Sequence, residues 1–187
     1  RNTGSGSSRQ VAFENGEISY MRVTTKEELE KYSDSDEYNT YSITESRLNY
    51  LQVNPHGPNK DVLTDEGRKA LFLALDGQEI VDAAYGSDEL AAPANSLLTP
   101  DQVDYNPDCA GYTQDLDKAK ELAESSGLSG KTLTYIYNAD RANMEAVATV
   151  IQQQLAKIGV NLSIEGLDST SFFQRFFAIM YNSGQEN

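Results

Sequence analysis

One histidine, His56, and one cysteine, Cys109, stand in a chain of 187 residues. That pair is too few for a Cys/His zinc set, and it leaves no choice of base for a Ser-His-Asp or Cys-His triad. Cys109 has no second cysteine with which to form an internal disulfide, and His56, between Pro55 and Gly57, sits in a turn-like stretch. Carboxylates are plentiful, 29 Asp plus Glu, but most fall in solvated runs such as Lys26-Glu27-Glu28-Leu29-Glu30-Lys31. Asp140 with Asp168 is the one pair placed at strand ends, where a carboxylate-dependent hydrolase on an α/β scaffold would need its acid and base. The balance favours binding over chemistry, with no catalytic residue, no metal ligand and no cofactor expected.

Binding chemistry has better candidates. In open α/β sheets a ligand lies beyond the carboxyl ends of the strands. Asn138, Asp140, Arg141 and Asn143 follow one predicted strand, and Asp168 and Ser169 follow the next. A helix starting near Asp140 would add unpaired backbone N–H groups and a positive dipole end, both suited to a carboxylate. Arg141 in the first turn of that helix would oppose the dipole at a cost of ~0.3–1 kcal/mol. Either it meets an anionic group of a ligand, or it is an exposed arginine paired with Asp140 or a nearby Glu. Tyr50 and Gln52, with Asn54, share one face of a predicted strand whose other face carries Leu51 and Val53. That polar, aromatic face suits a ligand cleft or a solvated sheet surface.

The elements that must hold these residues alternate between helix and strand. Arg1 to Ser8 is rich in Gly and Ser. A short helix follows, with Ser8 as cap and Val11 and Ala12 inward, and it exits at Asn15-Gly16. Glu17 to Val23 reads as a strand, and Lys26 to Asn39 as a surface helix and loop or a linker. After the strand Leu48 to Asn54 come two helices. Thr64 caps the first, with Ala70, Leu71, Ala74 and Leu75 on one stripe; Ile80, Val81 and Ala84 mark the second, which ends at Tyr85-Gly86. Ser87 to Thr113, with Pro93, Pro100 and Pro107, is irregular. Asp115 to Ser126 is helical, with Leu116, Ala119, Leu122 and Ala123 inward and Gly127 at its end.

Lys131 to Glu165 carries the sharpest pattern. Leu133 to Tyr137 is strand-forming. Asp140 to Ile158 is a helix with the stripe Met144, Val147, Ala148, Ile151, Leu155 and Ile158. Gly159 closes it, and Val160 to Glu165 is the next strand. This predicts a right-handed βαβ crossover with parallel strands and Val147, Ile151 and Leu155 buried. A last helix, Ser169 to Tyr181, bears Phe172, Phe173, Phe176, Phe177 and Met180, a stripe that reads as packing.

Net charge is -14, which argues against nucleic acid or an anionic membrane surface as partner. No apolar run approaches the ~20 residues of a membrane span. The chain starts at Arg1 with no basic-then-apolar leader and stops at Gln185-Glu186-Asn187, so its natural ends are expected to lie elsewhere.

Several segments, in order, resemble one family. Phe13-Glu14-Asn15-Gly16-Glu17-Ile18 is similar to its short helix followed by Gly-Glu-Ile-Asp, with Ser19 in place of the acid. Val53-Asn54, Pro58, Asp61 and Gly67-Arg68-Lys69-Ala70, then Ala74 to Val81 and Tyr85-Gly86, resemble its re-entry into a second lobe. Asp117-Lys118-Ala119-Lys120-Glu121-Leu122 with Gly127, and Gln152 to Val160, match two further helical elements. The family is that of the dipeptide-, oligopeptide- and nickel-binding proteins that feed ABC importers, and the resemblance covers roughly residues 9 to 182. It implies an α/β, periplasmic-binding-protein-like (type II) lobe with a mixed sheet flanked by helices. Residues 1–47 would be a remnant of a first lobe, and 48–187 a second lobe cut off before its last strands. The implied function is capture of peptides outside the cytoplasmic membrane, by a cell-surface lipoprotein or a periplasmic protein, and delivery to permease subunits. Membrane contact would come only through an anchor outside these residues. Arg141 would then meet a peptide's carboxyl terminus or acidic side chain, and Tyr50 and Gln52 would line the cleft. A peptide or pheromone sensor, or a binder of nickel or another solute, is the alternative on the same fold.

Overall fold

The structure, a computed structural model, describes residues 6–183 other than 44 and 110, with side chains through residue 180. The first five residues of the Gly/Ser-rich stretch and the last four of the chain lie outside it. The chain divides into two compact units, Arg1–Tyr41 and Ser42–Asn187.

The first unit holds two helices, α1 (Gly6–Glu14) and α2 (Lys26–Ser33). α1 starts before Ser8, so that residue is not its cap, and it leaves through Gly16 in the left-handed region (φ 72°). Ala12 is buried as expected, but Val11 is 56% exposed. The inward position belongs to Phe13, whose ring meets Tyr32 edge-on at 5.6 Å; Val11 lies about 200° round the helix from it. The strand expected over Glu17 to Val23 does not form. Strand-forming residues need a neighbouring strand, and here the amides of Glu17 and Ile18 donate instead to the Ala12 carbonyl. α2 opens with a reciprocal cap. Thr25 Oγ1 accepts from the Glu28 amide at 3.2 Å, while Glu28 Oε2 accepts from the Thr24 amide at 2.8 Å.

In the second unit, Leu48 to Asn54 is also not a strand, because it has no ladder partner among the described residues. Its alternation survives from Tyr50 to Val53, with Leu51 and Val53 half-buried and Tyr50 and Gln52 exposed, but Asn54 is half-buried rather than on the open face. α3 (Asp65–Leu73), α4 (Gly77–Ala84) and α5 (Leu116–Ser125) follow, each capped by an oxygen side chain, respectively Thr64, Asp76 and Asp115. Gly86 and Gly127 close the second and third in the left-handed region. Residues 87–113 hold no helix or strand among those described. Gly67 sets the start of α3: a Cβ there would stand 2.0 Å from the Val62 carbonyl oxygen.

β1 (Thr132–Asn138), α6 (Met144–Ala156) and β2 (Asn161–Leu167) follow one another as expected, with β1 and β2 parallel and Leu133 opposite Leu162. Among the described residues the sheet is these two strands, rather than a larger mixed sheet. α6 begins at Met144 and not at Asp140, because Asn143 takes a left-handed conformation (φ 69°) that no right-handed helix can run through. Ile151, Leu155, Ile158, Val160 and Leu162 join Leu71 of α3 and Leu122 of α5 in one core; Val147 packs half-buried at its edge.

α7 (Ser169–Ser183) lies against both strands. Its aromatic stripe is only partly packed: Phe172 and Phe176 are half-buried, whereas Phe177 is 61% exposed and Phe173 and Met180 also face outward. The spacing explains it. Phe172 and Phe176 lie within about 40° on the helix, while Phe173, Met180 and Phe177 lie about 80–140° round from Phe172.

Gln154 is fully buried in α6. Its Oε1 accepts from the Asp76 amide at 3.1 Å, and its Nε2 donates to the Asp76 carbonyl at 3.2 Å and to Glu79 Oε2 at 2.8 Å. This side chain ties the start of α4 to α6. Gln154→Leu removes it at similar volume and strands two backbone groups. Thermal or urea unfolding should show a loss of about 2 kcal/mol; an unchanged midpoint would mean that water replaces the amide.

Candidate ligand-binding site

The carboxyl ends of β1 and β2 meet at the first turn of α7, and the hydrogen bonds there are dense. Asn138, the last residue of β1, is 5% exposed. Its Nδ2 donates to Ser169 Oγ at 3.1 Å, and its Oδ1 accepts from the Asp140 amide at 3.0 Å. Its carbonyl accepts from the Arg141 amide at 3.2 Å. Asp140 reaches across with Oδ2 to accept from the Ser169 amide at 2.8 Å. The Ala139 amide donates to the Leu167 carbonyl at 2.8 Å, continuing the ladder just past the strand. Residues 139–141 therefore have their backbone held on three sides.

Asp168 does different work. Its Oδ1 accepts from the amides of Thr170 and Ser171 at 3.0 and 3.1 Å, and its Oδ2 from the Ser171 hydroxyl at 2.6 Å. The Ser171 hydroxyl, then its amide, hold the Asp168 carboxyl below the usual carboxylate range. Asp140 and Asp168 are thus both turned to the amino terminus of α7, one on the Ser169 amide and one on the two that follow.

Asn138, Asp140 and Ser169 are brought into contact, and Arg141 and Asn143 stand on the same turn. Arg141 is exposed. It precedes the helix instead of opening it. Asp140, the nearest acid in sequence, is oriented to Ser169, and among the described residues the guanidinium has no ion pair. Asn143 makes no side-chain cap on α6. Tyr50 and Gln52 lie elsewhere. Gln52 Nε2 is 3.0 Å from Met180 Sδ on α7, about 16 Å along that helix from Ser169. Beside it, Asn49 Nδ2 donates to Tyr85 Oη at 2.9 Å. Gln52 therefore contacts α7 at the end opposite to the one held by Asn138 and Asp140. In β1, the phenol pKa of Tyr135 is raised by burial and then by Tyr85.

Sequence reasoning missed the structural part played by Gln154 and the reciprocal grip of Ser169 on Asn138 and Asp140. Gln154 had a signal. At 3.6 residues per turn it falls on the stripe of Val147, Ile151 and Ile158, where a polar residue needs a buried partner.

Comparison with known proteins agrees with this architecture. The Escherichia coli dipeptide-binding protein is 25% identical over 179 residues, 92% of this chain and 32% of its own length. Among solved structures, AppA from Clostridium difficile is 36% identical with a TM-score of 0.77, over 91% of this chain and 35% of that one. The Helicobacter pylori periplasmic binding protein DppA, solved in complex with peptide STSA, is 25% identical with a TM-score of 0.72, over 91% and 32%. The fold is that of the type II periplasmic binding proteins. The chain spans about a third of the length of these relatives, which are substrate-binding proteins and not enzymes. Residues 2–185 match the family described as bacterial extracellular solute-binding proteins, family 5 Middle, and on a match of that extent the chain belongs to family 5 of the bacterial extracellular solute-binding proteins.

Proposed function

We propose that this chain is part of the substrate-binding component of an ABC import system, one that captures peptides outside the cytoplasmic membrane and hands them to permease subunits. The observation that carries the reading is the likeness, over 91% of the chain, to a binding protein solved with a peptide bound. Residues 48–187 belong to a second lobe and residues 1–47 to a remnant of the first. The protein works as a cell-surface lipoprotein or in the periplasm. Arg141, exposed and without an ion-pair partner among the described residues, suits a peptide's carboxyl terminus or acidic side chain. Tyr50 and Gln52 suit contact with the peptide at a second place, since aromatic and amide groups give sequence-tolerant area and backbone hydrogen bonds.

Mass spectrometry of ligand released from the whole protein, with calorimetry against a pool of random tripeptides, tests the reading. Peptides in the released fraction and micromolar or tighter binding of the pool are expected. A sugar or a metal chelate in their place would assign another solute. No saturable binding of the pool would overturn the peptide reading.

A further inference from the structure

The turn between β1 and α6 combines a fixed backbone with a free cation. Ala139, Asp140 and Arg141 each have their amide committed, to Leu167 O, Asn138 Oδ1 and Asn138 O. Asp140 adds a side-chain tie to the Ser169 amide at 2.8 Å. That tie joins the turn to the element after β2, and Asn138 Nδ2 to Ser169 Oγ at 3.1 Å doubles it. The Arg141 side chain that this turn carries is exposed, with no ion pair among the described residues. A surface arginine on a loose turn loses rotamer and backbone freedom when it grips an anion; on a fixed turn much of that ordering is already made.

We propose that Asp140, held by the Ser169 amide, is a positioning residue that fixes the turn presenting Arg141 to a ligand carboxylate. This rests on the peptide reading above, and on Arg141 as the carboxylate contact within it. Asp140 itself does not touch ligand. Its acceptor oxygen is what matters, so an asparagine, whose Oδ1 can accept the same amide, should replace it. The Ser169 end can be cut separately. Ser169 is the first residue of α7, where an amide has no partner within the helix and proline is well tolerated. Ser169→Pro therefore removes the amide donor, together with the hydroxyl that meets Asn138, and spares the helix.

The experiment uses the whole protein and two probes, a pool of free-acid tripeptides and the same pool with carboxyl-terminal amides. Calorimetry gives the ratio of the two affinities, which a merely structural role would not move. Arg141→Gln should bring the ratio close to one. Asp140→Ala and Ser169→Pro should each weaken free-acid binding about tenfold, one ordered side chain's worth, with amide binding unchanged. Asp140→Asn should restore the wild-type ratio. If Arg141→Gln collapses the ratio while Asp140→Ala and Ser169→Pro preserve it, the positioning role is wrong and the peptide reading stands. If Arg141→Gln also preserves the ratio, Arg141 does not read the carboxylate and the proposal falls with it. An equal loss on both pools with a lowered melting temperature would make the tie purely structural, which also overturns the proposal.

Discussion

Ile151→Ala is expected to lower the stability of this chain by about 2–5 kcal/mol. The side chain is 4% exposed, and it belongs to the buried cluster that joins α6 and the sheet with residues of α3 and α5. Truncation removes buried methyl groups and leaves a cavity whose walls belong to separate elements. Leu133 and Leu162 are fixed by the parallel ladder, so they cannot close the gap without breaking register. Collapse is therefore limited, and the cost should fall in the upper part of the range. Val147→Ala, one turn earlier and only half-buried, is the internal control and should cost about 1 kcal/mol. Urea unfolding followed by far-ultraviolet circular dichroism separates them. Equal losses at the two positions would mean that α6 is held by its tie to α4, not by its apolar face.

That core was legible because it rests on local pattern. The α6 stripe, Gly159 closing the helix, and strand-forming residues on both sides require only periodicity and turn chemistry, and parallel pairing then follows from the short crossover. The oxygen cap at Thr64 was legible for the same reason. The strands expected at Glu17 to Val23 and Leu48 to Asn54 were not, because strand propensity measures fit to a neighbour and says nothing of whether one is present. The start of α6 was misplaced by tertiary structure. Asp140 has an ordinary helix-opening sequence around it, but its carboxylate is drawn to Ser169, and the chain reaches α6 only through a left-handed Asn143.

The candidate site was legible as residue types and not as partnerships. Placing ligand groups past the strand ends put Asn138, Asp140 and Arg141 on one turn, which is where they are. Sequence could not say which of the three would be consumed internally. Asn138 is buried and bonded within the fold, Asp140 is exposed with Oδ2 on the Ser169 amide, and Arg141 is exposed with no ion pair among the described residues. Burial decides this for Asn138, which must be satisfied by its neighbours; Asp140 is as exposed as Arg141 and is distinguished by its bond to the Ser169 amide. Tyr50 and Gln52 were named separately, from one face of a predicted strand and from the family resemblance, and Gln52 sits against Met180 at the far end of α7. A peptide touching both groups would have to run along the helix, the direction in which Phe173 and Phe177 present exposed rings.

Residues 1–187 by themselves should bind a tripeptide pool at least about a hundredfold more weakly than a complete relative does, roughly 2.7 kcal/mol or more. The chain spans 32% of the Escherichia coli dipeptide-binding protein and 35% of AppA. A peptide enclosed between two lobes gains from contacts on both, and from exclusion of water when they close. On this chain alone Arg141 would meet a carboxylate in open water, where one charge-assisted contact is screened and much of its worth is lost. The exposed Phe173, Phe177 and Met180 on α7 should also draw copies of the isolated chain together. Calorimetry on residues 1–187 beside the whole protein, with light scattering on the former, measures both effects. Equal affinities would show that the cleft is complete within these residues and that closure contributes little. A monodisperse monomer at high concentration would show that α7's outward face is too polar, or too broken by its neighbours, to act as a sticky surface.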